Sequence, residues 1–270
     1  MQKIFNIPNS ILIIAAFMLS ALAIHACLKN YDYGDNNIKS IESTFGVKMR
    51  SVSASTDSSE CFTTCPIVID SIIDTVQIPG TSCFAQVKYS VHRCLESTSP
   101  VKLTEIFNNF SASPIYSMGC DSLVRLWDSL YNASLMDSLI FQIERFHVLA
   151  GKAAEEKYMT KFVIKQKSHF DCLAPNIFLF AEFYWDQCYT WCIKYIIVNN
   201  KPIVEHKRRS CGQACCKRST QYCWDSVNNV VKKSPPTVET IGFCMSELPA
   251  QCPEGYNVYG LCSQACLAQE

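Results

Sequence analysis

Neither sign of charge is in excess in this chain: twenty-four Lys and Arg side chains balance twenty-four Asp and Glu. Without a net field to steer it, the protein is not expected to bind nucleic acid, and an anionic membrane surface would not draw it in. Charged residues are only 18% of the chain against 49% hydrophobic, which excludes a chain disordered throughout. Short catalytic signatures are missing as well. There is no H-E-x-x-H, no G-x-S-x-G nucleophile elbow, no P-loop and no dinucleotide fingerprint, and no C-x-x-C of the thioredoxin kind. No cofactor and no metal are expected. After the amino terminus there is no second apolar run long enough to span a bilayer.

What the chain does have is cysteine, seventeen in 270 residues, a density typical of disulfide scaffolds that mature in an oxidising compartment. The amino terminus agrees. Lys3 precedes an uncharged run from Ile11 to Ile24, the length of a signal-peptide h-region and too short for a transmembrane helix, so residues 1–26 read as an export signal. Two cleavage readings stay open. Ala21, Leu22 and Ala23 fit a small-x-small peptidase site, while Ile24, His25, Ala26 and Cys27 resemble a bacterial lipobox in which His25 stands where a small residue is usual. Removing Cys27 leaves sixteen cysteines, an even number, as expected if Cys27 carries lipid. Localisation is therefore extracytoplasmic, as an envelope lipoprotein or a soluble secreted protein, with a membrane engaged only through that anchor.

Residues 27–60 are polar and end in SVSASTDSSE, the composition of a flexible tether. Residues 61–210 read as an α+β domain, with amphipathic helices packed on a mostly antiparallel sheet. Cys83, Ala85, Val87, Tyr89 and Val91 alternate with polar residues, the period of a half-buried strand. From Val101 to about Ala150 the expected period is helical. Leu123, Leu126, Trp127, Leu130 and Tyr131 share one face, and Leu139, Ile140, Ile143, Phe146 and Ala150 another. Asp121 and Asp137 are candidate N-caps and Gly151 a candidate stop. In the following run, FLFAEFYWDQCYTWCIKYIIV, the residues Phe183, Trp185, Tyr189, Trp191, Ile193, Tyr195 and Ile197 fall on one parity of a strand. Asn199 to Pro202 then predict a hairpin. Cys188 and Cys192 would lie roughly 13 Å apart along that strand and must bond different partners.

Residues 211–270 have little apolar sequence and read as a cysteine-rich tail stapled by disulfides. Eight candidates precede it (Cys61, Cys65, Cys83, Cys94, Cys120, Cys172, Cys188, Cys192) and eight lie within it (Cys211, Cys215, Cys216, Cys223, Cys244, Cys252, Cys262, Cys266). That division suggests two sets closing separately, with the pairing inside each left open. Four C-x3-C pairs invite a metal reading, but oxidising conditions favour disulfides over thiolates.

Lys207, Arg208 and Arg209, with Lys217 and Arg218, form the one notable basic cluster, which reads either as a solvated strand end or as a site for an anionic glycan or lipid headgroup. The aromatic parity reads as core, or as a carbohydrate platform if that face is open. His92, His147, His169 and His206 sit one per segment, and His147 reads as a partly buried structural residue. Glu155 and Glu156 read as a solvated face. Asn109 and Asn132 open N-x-S sequons, relevant only in a eukaryotic secretory route. Asp-Ser/Thr-apolar triplets start at Asp70, Asp74, Asp121, Asp128, Asp137 and Asp225. They resemble the O-glycosylation motif of Bacteroidota, and N-capping explains those on helices equally well.

The spacing in CGQACCKRSTQYC followed by Trp224 and Asp225, and in the closing CPEGY and CSQAC, resembles uncharacterised cysteine-rich exported proteins of Bacteroidota-type bacteria. That resemblance implies an envelope or extracellular location and carries no functional residues. The functional expectation is a non-catalytic binding or structural protein whose partner is an unidentified protein or glycan. An extracellular hydrolase whose site assembles only in three dimensions, or a protease inhibitor, are the competing classes.

Overall fold

The structure is a computed structural model that describes residues 67–262 apart from 97, 99, 174, 176, 187, 199, 200, 213, 243, 245–250 and 261. The export signal, the tether, Cys27, Cys61, Cys65 and Cys266 lie outside the described residues.

Three antiparallel strands open the fold: β1 (Ile67–Gln77), β2 (Phe84–Glu96) and β3 (Val101–Pro114). Two helices follow, α1 (Asp121–Asn132) and α2 (Met136–Lys165), and return the chain to β4 (Ile177–Asp186), which runs parallel to β3. Next come the hairpin of β5 (Tyr189–Val198) and β6 (Lys201–Ser210), then β7 (Cys215–Asp225), β8 (Val230–Lys233), β9 (Thr237–Ile241) and β10 (Asn257–Tyr259). The larger sheet has the order β1-β2-β3-β4-β7-β8, with β9 also on β7; the smaller is β10-β5-β6. The class is α+β with mostly antiparallel strands, β3 and β4 being the parallel pair.

β2 follows its sequence pattern. Ala85, Val87, Tyr89 and Val91 are buried, and Gln86 and Lys88 are exposed. β3 does not, and the helical expectation for Val101–Pro114 is corrected: every residue from Leu103 to Asn108 is buried, so a strand covered on both faces shows no alternation to read. The helix prediction holds from Asp121 onward. α2 lays Leu139, Ile143, Phe146, Ala150, Ala154, Met159 and Val163 along the larger sheet in steps of three to five. Asp121 and Asp137 lie in first turns, where a carboxylate suits the helix dipole, yet neither caps through its side chain. Gly151 does not stop α2. A Cβ there would sit 3.0 Å from Phe183 Cζ, so the glycine serves close approach of helix to sheet.

The run expected as one long strand is two. The chain leaves the larger sheet after Asp186 and enters the smaller at Tyr189, so the aromatic parity is divided between sheets. Cys188 and Cys192 do bond different partners, Cys244 and Cys252.

Separate closure of the two cysteine sets is overturned. Cys172–Cys223, Cys188–Cys244 and Cys192–Cys252 all cross residue 211, while Cys83–Cys120 and Cys211–Cys262 do not. Cys94, Cys215 and Cys216 are disulfide-bonded too. β7, which begins the supposed tail, pairs along its length with β4. The apolar surface that the tail lacks is supplied by the sheet it joins. So many disulfides favour an extracytoplasmic location. Among the described residues no helix is long and apolar enough to cross a membrane.

Two buried ion pairs lie at the contact of α2 with the sheet, one between β2 and β3 that Tyr158 of α2 joins, the other between α2 and β7. Glu105 is fully buried against Arg93 and Tyr158, and burial raises its carboxyl above the usual range, opposed by Arg93. Glu155, expected on a solvated face, is instead 3% exposed and accepts from Arg218 and Tyr222. Its neighbour Glu156 does face solvent and meets Lys233, as a 100-degree turn between adjacent residues requires.

Candidate functional site: a cleft between the two sheets

A cleft of about 610 Å³ opens where the ends of β3 and β4 meet the smaller sheet. β3 contributes residues 109–113. A bulge between β2 and β3 puts Asn109 in the left-handed region, φ 52°, which asparagine tolerates better than most residues. Tyr184 and Trp185 come from β4, His147 from α2, Trp191 from β5, and His206 to Arg209 from β6.

At its floor two histidines far apart in sequence meet. His206 Nε2 and His147 Nε2 are 2.9 Å apart, and the rings pack edge-on to one another. Trp127 packs edge-on to His206, and Trp191 contacts both rings. The tautomers follow from the partners. His206 Nδ1 lies 3.3 Å from the Val204 carbonyl, which can only accept, so Nδ1 carries the hydrogen and Nε2 of the neutral ring accepts. His147 Nε2–H must then donate, which leaves His147 Nδ1 as a lone pair with no partner among the described residues. Burial holds His147 well below the ordinary range, with Arg208 and His206 adding to the effect. Burial likewise lowers His206 to about 4; the Val204 carbonyl opposes this, Arg208 reinforces it and Glu205 opposes it.

Arg208 is the cation of the cleft. Its guanidinium stacks 4.8 Å over Tyr189 and 5.0 Å over Trp191, and its Nε is buried without a hydrogen-bond partner. Those aromatics are fixed from behind by Glu144, which accepts from Tyr189 OH at 2.8 Å and from Trp191 Nε1 at 3.2 Å. Among the described residues no carboxylate lies within ion-pair distance of Lys207, Arg208 or Arg209.

The basic cluster read from sequence is dispersed. Lys207 borders the cleft but carries its ammonium 4.6 Å over Tyr256, whose hydroxyl donates to Glu205. Arg209 lines the cleft edge. Lys217 and Arg218 belong to β7 in the larger sheet, where Lys217 meets Glu239 and Glu182 and Arg218 is spent on Glu155. Of the aromatic parity, Phe183, Tyr189 and Trp191 are core, and Trp185 is partly exposed in the cleft. The His147–His206 pair was invisible to spacing rules, being 59 residues apart. A usable signal was present all the same: the pleat of β6 places His206 and Arg208 on one face.

The remaining motifs have structural employment. Asp74 binds Lys157, Asp128 accepts from Asn132 and Tyr195, and Asp225 holds the amides of Val227 and Asn228. Asn109 Nδ2 donates to Ser90 Oγ at 3.1 Å. The sulfurs of Cys188, Cys244 and Cys262 lie within 4.8 Å of one another, but all belong to disulfides and offer no thiolate. No known protein family, curated protein or solved structure matches this chain.

Proposed function

We propose that this chain is an exported binding protein whose cleft takes an acidic glycan. The observation that carries the reading is Arg208, a cation stacked on two aromatic rings of the cleft, with no carboxylate paired to it among the described residues. Left alone, such a group keeps donors free for an anionic oxygen. Trp185 and Phe110 beside it offer faces for a sugar ring, and Asn109 and Ser111 offer polar contacts to hydroxyls. A recessed volume suits an oligosaccharide better than the flat headgroup surface of a bilayer. The described lining residues include two histidines and no carboxylate side chain, which supports binding over a hydrolase with paired acid and base. Attachment of the chain to a bacterial envelope through lipid on Cys27 belongs to the same proposal.

Sucrose octasulfate titrated into the full chain at low ionic strength, followed by tryptophan fluorescence, tests it. The expected result is saturable binding that weakens as salt rises and that falls at least about tenfold in Arg208→Ala, the range for losing a charged hydrogen bond. Absence of saturable binding overturns the reading. So does binding only to vesicles of anionic phospholipid.

A further inference from the structure

The two histidines on the cleft floor have one unengaged nitrogen between them. His206 Nδ1–H is directed to the Val204 carbonyl and His206 Nε2 accepts from His147, so His147 Nδ1 is the single lone pair of the pair that can take a proton without breaking a contact. Resting on the acidic-ligand reading above, we infer that the cleft takes up one proton with its anion, held at His147 Nδ1, so that ligand capture is coupled to pH.

The surroundings explain why the proton waits for the anion. An imidazolium here would face Arg208 from the same side of β6, among the apolar rings of Trp127, Phe146 and Trp191, which solvate a charge poorly. Glu144, one turn before His147 on α2, is already engaged by Tyr189 and Trp191. On β6, Glu205 accepts from Tyr256, while Lys207 and Arg209 border the cleft and add positive charge to that of Arg208. From β4, Tyr184 donates its hydroxyl to Glu182, and β3 presents no titratable group. Among the described residues no carboxylate lines the cleft to compensate a protonated pair. A sulfate or carboxylate on Arg208 changes this: it offsets the guanidinium and attracts the new N–H. Anion and proton each favour the other, as reciprocal linkage requires.

Calorimetry with sucrose octasulfate, whose sulfate esters do not titrate in the working range, reads the coupling directly. At pH 6, comparing buffers of different ionisation enthalpy should report proton uptake approaching one per ligand, and affinity should rise by up to about tenfold per unit fall in pH between 7 and 5. His147→Gln should still bind but with uptake abolished; should that one fail to fold, His206→Gln, which keeps His147 Nδ1, should retain the uptake, and its loss there would overturn the assignment. Binding by the native chain with no uptake and a flat pH profile overturns the inference and leaves the binding reading intact. Undiminished uptake in His147→Gln overturns it too. Failure to bind at every pH removes both together.

Discussion

Arg218 Nη2 lies 2.5 Å from Glu155 Oε2, joining β7 of the larger sheet to the long helix that covers it. Both side chains are nearly inaccessible, and Tyr222 donates to the second carboxylate oxygen at 3.0 Å. Arg218 also lies over the Phe183 ring. The carboxylate is thus desolvated by a packed interface and compensated by two donors from one strand.

Removing one partner of such a pair strands the other in low dielectric. Arg218→Ala should lose about 3 to 5 kcal/mol, whereas Arg218→Met with Glu155→Leu should recover much of it by replacing two charges with apolar volume. Guanidinium unfolding of the oxidised protein measures both. A single variant within about 1 kcal/mol of the native chain would remove the argument.

Close packing of the helix makes a second site sensitive to size. Gly151 faces Phe183, which is held by Phe107, Phe110 and Trp185 and has little room to turn. Gly151→Ala sets about 1 kcal/mol of helix propensity against a tight contact and should be near neutral. Gly151→Leu should destabilise by about 1 to 3 kcal/mol or more, since the sheet must shift. A leucine variant as stable as the native chain would show that helix and sheet are not in contact there.

Legibility in the sequence tracked how evenly each segment meets water. β2 and the face of α2 each have one wet side, so polar residues mark the period and both could be read. β3, buried on both sides, and the switch between β4 and β5 left no such mark. β7 is hard to read for a related reason: its buried face carries Arg218 and Thr220 among its aromatics, and Arg218 is satisfied by Glu155 of the helix. For the cleft, the cations and aromatics were visible as residue types. What the sequence could not show is that Lys207 goes to Tyr256 and Arg208 to Tyr189 and Trp191, or that a crossover brings His147 to His206.

The crossing disulfides are expected to hold the last strand in place. Cys192–Cys252 encloses 60 residues and anchors the segment leading to β10, which has only three residues pairing with β5. In the chain-entropy view a loop of that length is worth about 4 kcal/mol. Cys192→Ala with Cys252→Ala should therefore lower stability by up to that amount and expose the region around Asn257 to limited proteolysis. Unchanged protease resistance would mean that the short strand holds without its staple.

The histidine pair makes a prediction about acid in the absence of ligand. His206 sits at about 4 in the folded protein against an ordinary 6.5, so on acidification the unfolded chain takes its proton first. Stability from this group is complete above about pH 6.5 and is lost as pH falls towards 4, up to about 3 kcal/mol at 1.36 kcal/mol per unit. His147, lowered in the same direction, steepens the loss. Thermal melting between pH 7.5 and 4.5 should show the native chain losing stability faster than His206→Gln, although the variant starts lower because its contacts to Trp127 and His147 are gone. Since the carboxylates common to both proteins cancel in that comparison, parallel profiles would mean that the pair does not stay neutral in the folded state.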